Sequence, residues 1–102
     1  MGRYVRVAST SEIPDRGAKC VEVDGRTIAV FNLSGSYYAI DDECSHAGGP
    51  LSDGCVEGDE VECPWHGARF NVKTGAACCA PAADGQATYP VRVSGDDVEV
   101  EV

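Results

Sequence analysis

Positive charge is scarce in this sequence. Eight Lys and Arg face seventeen Asp and Glu, for a formal net charge of −9 and an isoelectric point near 4.4. A chain this acidic lacks the basic patch that phosphate backbones demand, which excludes nucleic acid as a partner. It also has little to hold it to an anionic membrane surface. Long apolar runs are missing as well. None approaches the roughly 20 residues a spanning helix needs. Arg3, Arg6 and Glu12 interrupt any apolar stretch that could act as a signal peptide. Position 6 is Arg rather than Ser or Thr, so the opening Met-Gly is not a myristoylation signal. A cytoplasmic protein with no membrane attachment is expected. There is no Gly-rich dinucleotide-binding βαβ unit, so hydride transfer from a nicotinamide cofactor is not expected of the chain itself. Histidine is rarer still, with two in 102 residues.

Turn formers, by contrast, are plentiful: 12 Gly and 5 Pro in 102 residues favour short strands over long helices. Tyr4-Val5-Arg6-Val7-Ala8 and Ala18-Lys19-Cys20-Val21-Glu22-Val23 alternate as strands do. Between them Ser9–Pro14 reads as a polar corner with about one helical turn, stopped by Pro14. Asp24-Gly25 is a two-residue hairpin turn. It leads into Arg26–Phe31, and after Ser34-Gly35 the run Tyr37–Ile40 completes a three-stranded meander. From Asp41 to Asp59 the chain is loop-rich. Short strands follow at 60–62 and 68–72, then a small-residue loop at 76–87, and a closing hairpin of Tyr89–Val93 and Val98–Val102. The expected fold is all-β, an antiparallel β-sandwich or barrel with an inserted loop-rich subdomain. A chain of this length is expected to be a single domain, 1–102, with the inserted subdomain at about 41–82.

Six cysteines stand at 20, 44, 55, 63, 78 and 79. An even count is compatible with disulfides, but without a secretory signal it points instead to a metal, to catalysis, or to plain packing. Two of the six are singled out by their neighbours. The chain reads Cys44-Ser45-His46-Ala47-Gly48-Gly49-Pro50, and later Cys63-Pro64-Trp65-His66-Gly67-Ala68-Arg69-Phe70. Each half supplies one thiol and one imidazole, which uses every histidine in the chain. Sixteen residues separate His46 from Cys63, enough for one loop to leave a site and a second to return. Two tight Gly/Pro loops of this kind can splay their ligands towards two adjacent irons, with two thiolates on one and two imidazoles on the other. Zinc held by the same four residues is the alternative. Cys20, Cys55, Cys78 and Cys79 fall outside the pattern and read as small hydrophobes or free thiols.

Cys44-x-His46 followed by Cys63-x-x-His66, with Pro64 and Gly67 in place, resembles the Rieske signature. The flanking runs Ser45–Leu51, Gly67–Asn71 and Tyr89–Val93 resemble the small Rieske-type ferredoxins of bacterial ring-hydroxylating dioxygenase systems. The likeness covers almost the whole chain. It implies one Rieske-type [2Fe-2S] cluster, with Cys44 and Cys63 on one iron, and His46 and His66 on the outer iron, where electrons enter and leave. It implies a soluble, monomeric one-electron carrier rather than an enzyme. Its partners would be a flavin-dependent NAD(P)H ferredoxin reductase and a terminal aromatic-ring-hydroxylating oxygenase, and its acidity would suit basic docking faces. The small Rieske subunit of another redox enzyme, such as an assimilatory nitrite reductase, is the alternative function.

The departures within that likeness carry information. Rieske proteins of respiratory complexes have an extra cysteine in each loop, joined as a disulfide, where this chain has Gly48 and Trp65. They also place Ser and Tyr hydroxyls near the cluster sulfurs, where this chain has Ala68 and Phe70. A potential at the low end of the Rieske range, roughly −150 mV, is therefore expected. Trp65 could shield the centre, contact a partner or simply pack. Pro81 resembles the proline loop that covers the cluster from a third side. The run Asp41-Asp42-Glu43 reads as a docking patch or a solvated loop.

Overall fold

The computed structural model describes residues 3–43, 50–64, 68–79 and 85–102, with Cys78 and Cys79 described by backbone alone. Eleven strands are assigned among them, in three antiparallel sheets. The middle sheet is the meander, β2 (Ala18–Val23), β3 (Arg26–Leu33) and β4 (Ser36–Asp41), with β9 (Thr88–Tyr89) added at its edge in the order β2-β3-β4-β9. The Asp24-Gly25 turn holds both residues at positive φ, 51° and 80°, the two-residue geometry that matches strand twist.

β3 explains the layering. From Ile28 to Leu33 every residue is buried. Successive side chains point to opposite faces, and here the two faces enter different cores. Ile28 and Val30 pack with Ala8, Val98 and Val100. Ala29, Phe31 and Leu33 pack with Leu51, Val61, Cys63 and Phe70. β4 splits the same way, Ala39 to the first core and Ile40 to the second. The unbroken apolar run of β3 thus marks a strand covered on both sides.

One covering layer is the three-stranded sheet of β1 (Tyr4–Ser9), β10 (Val91–Ser94) and β11 (Asp97–Glu101), ordered β1-β11-β10. The other is a four-stranded sheet of β5 (Cys55–Glu57), β6 (Glu60–Glu62), β7 (Arg69–Asn71) and β8 (Ala77–Cys79), in sequential order. The expected all-β sandwich is present, and the inserted region carries a sheet of its own. The strand expected over 68–72 spans Arg69–Asn71. Pro90, which cannot donate to a ladder, separates β9 from β10 where a single strand over 89–93 is expected.

Candidate metal centre

The two expected ligand loops are the tips of closed necks. The second is the simpler. β6 and β7 pair with Glu62 opposite Arg69, and the Cys63 N–H donates to the Ala68 carbonyl at 2.7 Å. The two ends of this segment, at Cys63 and Ala68, are therefore fixed to each other. Cys63 is 1% exposed, and it packs in one cluster with Ala68, Phe70 and Leu51.

The first loop, 44–49, is closed by a bridge between Glu43 and Pro50. Below the bridge Asp42 does most of the holding. Its N–H donates to the Thr27 carbonyl (3.0 Å), and its carbonyl accepts from Leu51 N–H (2.8 Å). Its carboxylate accepts the Ser52 N–H at 2.8 Å and faces the Cys20 thiol at 3.6 Å. Asp42 is only 5% exposed. The acidic run is thus not a solvated loop. Its middle member is a buried structural carboxylate, and charge-assisted bonds of this kind are about twice as strong as neutral ones. Burial, and then Asp42 itself, push the Cys20 thiol pKa up.

Asp41 is engaged too. Tyr89 Oη donates to its Oδ1 at 2.5 Å, while the Arg26 guanidinium lies 6.0 Å from the Tyr89 ring centroid. Burial and the hydrogen bond to Asp41 raise the Tyr89 pKa, against a lowering contribution from Arg26. Glu43 alone of the three is exposed. A groove of about 500 Å³ lined by Arg26, Thr27, Asp41, Glu43 and Pro50 among others opens beside this neck.

The two necks meet. After Pro50 the chain makes a 3₁₀ turn at Leu51–Asp53 and reaches Gly54. A Cβ on Gly54 would stand 2.1 Å from the Glu62 carbonyl oxygen. The exit of the first loop therefore lies directly on the backbone that enters the second. A cleft of about 160 Å³ between them is lined by Asp53, Gly54, Cys55, Glu62, Cys63 and Pro64.

Of the four expected ligands, Cys63 lies among the described residues. Cys44, His46 and His66 lie outside them, as do Gly48, Trp65 and Pro81. No group of three or more His, Cys, Asp or Glu able to hold a metal occurs among the described residues. What is described fits the group: a buried thiol at the base of one closed loop, packed with the residue that follows the neck of the other, suits a soft thiolate-binding metal centre. Cys20 and Cys55 are exposed, outside any disulfide, and are not core hydrophobes. The side chains of Cys78 and Cys79 are not described.

Sequence reading alone did not single out Asp42, Gly54 or Gln86. Gln86, 8% exposed, donates from Nε2 to the carbonyls of Asp41 (2.9 Å) and Glu43 (2.6 Å). Its only sequence signal is a polar residue among small ones in the 76–87 stretch.

The surface around the necks is acidic. Residues 41–82 hold eight of the seventeen carboxylates and two of the eight cations of the chain. Glu57, Glu60 and Glu62 converge on the single guanidinium of Arg69 at 3.2–3.4 Å. These pairs are solvent-accessible, so each adds little stability, and the trio leaves a net negative face.

Known proteins share this fold. The Rieske [2Fe-2S] domain model matches residues 3–90. The 3-phenylpropionate/cinnamic acid dioxygenase ferredoxin subunit of Escherichia coli strain K12 is 43% identical over 93 residues, covering 90% of this chain and 87% of that protein. The ferredoxin of carbazole 1,9a-dioxygenase from Nocardioides aromaticivorans superposes with a TM-score of 0.91 at 35% identity, over 95% of each chain. A ferredoxin solved in complex with the reduced oxygenase of carbazole 1,9a-dioxygenase superposes at 0.90 with 32% identity, over 95% of this chain and 91% of that one. On the match over 3–90 and on these identities, the chain belongs to the Rieske [2Fe-2S] domain family.

Proposed function

We propose that this protein is the ferredoxin of an aromatic-ring dioxygenase system. It takes electrons one at a time from an NAD(P)H-dependent flavin reductase, passes them to a terminal oxygenase, and has no catalytic residue of its own. The observation that carries the proposal is the end-to-end likeness to stand-alone ferredoxins, 95% of each chain in the Nocardioides case. One of the similar ferredoxins is seen together with its oxygenase. Cys44 and Cys63 hold one iron and His46 and His66 the other, and the 102 residues act as one domain whose cluster-binding part spans about 41–82. The cluster supplies reversible one-electron chemistry. The residues around it fix the loops, bury the thiol side and present an acidic face. No helix among the described residues is long and apolar enough to cross a membrane; the proposal takes the carrier to be monomeric and cytoplasmic.

The test is direct. The oxidised protein should be red-brown, should show a rhombic paramagnetic signal on reduction, and should support turnover when mixed with the reductase and oxygenase of a phenylpropionate- or carbazole-type system. A colourless zinc protein, or a coloured one that reduces no oxygenase, overturns the proposal.

Its potential should lie near the low end of the Rieske range, roughly −150 mV. Ala68 and Phe70 are both fully buried and pack in one cluster with Cys63, and neither carries a hydroxyl to stabilise the added charge. Spectroelectrochemical titration giving a value well above zero would contradict this.

The acidic face predicts a salt-sensitive encounter. The rate at which reduced protein delivers electrons to the oxygenase, followed by stopped flow, should fall roughly tenfold or more between low ionic strength and about 0.5 M salt. A rate indifferent to salt would remove the role of charge in docking.

A further inference from the structure

Gln86 is neither titratable nor one of the expected ligands, and it joins the neck of the first ligand segment to the turn that follows the second. Its carboxamide is buried, and Nε2 bonds to two main-chain carbonyls of the first neck, Asp41 and Glu43. Glu43 immediately precedes Cys44 and bridges to Pro50 on the far side of the loop. The main-chain N–H of Gln86 donates to the Gly75 carbonyl at 2.6 Å, in the turn that follows β7 and the second ligand loop. Gly75 sits at φ +78°, and a Cβ there would lie 2.2 Å from the Gln86 carbonyl oxygen. Gln86 also stands two residues beyond the 80–84 stretch. It therefore bonds both to the neck of 44–49 and to the turn that follows the second ligand segment.

We propose that Gln86 is a positioning residue for the metal centre: its carboxamide fixes the neck of the first ligand segment against the turn that follows the second, and so governs how firmly the cluster is held and how symmetrically its ligands are set. The proposal rests on the assignment of Cys44, His46, Cys63 and His66 as ligands. Two donors on one planar amide set the separation of the Asp41 and Glu43 carbonyls, and an apolar side chain of the same length would leave both without that donor.

A merely structural amide is available for comparison. Asn32 is 7% exposed, donates from Nδ2 to the Ile13 carbonyl at 2.8 Å and accepts from Gly35 N–H at 2.8 Å. It lies in the meander, and these bonds run to Ile13 and Gly35 rather than to either neck.

The experiment uses the cluster-loaded protein and the variants Gln86→Met, Gln86→Glu and Asn32→Ala. Three quantities are measured on each: the decay of visible absorbance under excess chelator, the g-values after reduction, and the urea midpoint by far-UV circular dichroism. Gln86→Met should release its cluster about 10–30-fold faster than the parent, as the loss of two buried hydrogen bonds implies, with shifted g-values. Gln86→Glu turns a carboxylate oxygen towards two carbonyls and should act in the same direction; if Gln86→Met does not fold, this variant carries the comparison. Asn32→Ala should lower the urea midpoint while leaving the g-values alone and the release rate within about threefold, since it removes only bonds remote from the loops. The proposal is overturned if the Gln86 variants keep the parent g-values and lose cluster only in proportion to their lowered midpoint. A parent protein without the rhombic signal is a different failure: it overturns the ligand assignment, and the positioning role with it.

Discussion

Replacing Cys63 by serine should leave a colourless protein with less than about a tenth of the parent's iron, whereas Cys55→Ser should keep both colour and iron. The two thiols make a matched pair, because both line the same cleft of about 160 Å³. Their settings differ. Cys63 is 1% exposed at the base of a loop closed by its own N–H. Cys55 is exposed on β5. A serine hydroxyl has almost the volume of a thiol but is a hard, weakly acidic donor that does not replace a thiolate on iron. The expected contrast is therefore all-or-none and does not depend on packing. Iron content and the visible spectrum of the purified variants check it. A Cys63→Ser protein with its full iron, or a Cys55→Ser protein without it, would place the thiolate ligand elsewhere.

Gly54→Ala should be strongly destabilising through a steric clash alone. The atoms its Cβ would meet are main-chain ones: the Glu62 carbonyl oxygen at 2.1 Å, the Glu62 carbonyl carbon at 3.1 Å and the Leu51 carbonyl oxygen at 3.1 Å. None can rotate aside, so the two necks must move apart. Overpacking of this kind costs about 2–3 kcal/mol, or a melting temperature lower by about 10–20 °C for a domain of this size. Cluster loading should fall with it, because the displaced segments carry the ligand loops. Gly58→Ala separates this effect from backbone strain. Gly58 has φ +61° but nothing within 4 Å of its would-be Cβ, so its cost is about 1 kcal/mol. Equal melting temperatures for the two variants would show that the close approach at Gly54 is not a constraint.

Much of this was legible in the residues, and what was not has a physical reason. The hairpin turns at Asp24-Gly25 and Ser34-Gly35 and the six- and eight-residue strands beside them announce themselves by turn chemistry and apolar pattern. β5 and β8 do not. Each is three residues long, too short for a period to show, and β8 consists entirely of the Ala and Cys that also fill loops. β5 exists because Val56 lies opposite Val61, a pairing set by tertiary contact. Asp42 misled for another reason. In sequence it is one of three adjacent acids, and its role depends on Ser52 returning ten residues later to offer an N–H. Gln86 depends on contacts 43 and 45 residues away. As for the ligands, Cys63 occupies the loop base that its motif implies, while Cys44, His46 and His66 rest on spacing and family likeness.

The order of the strands has a consequence for how the protein is made. β5 to β8 pair strictly with their neighbours in sequence, so that sheet needs only contacts within residues 55–79. The β1-β11-β10 sheet is built the opposite way. Its central strand is the last one, with Tyr4 paired to Glu101. Until residues 97–101 leave the ribosome, β1 and β10 have no partner and one face of β3 stays uncovered. The sheet that carries the second ligand segment can therefore form from local contacts, while the layer on the other face of β3 needs strands more than 85 residues apart in sequence to meet.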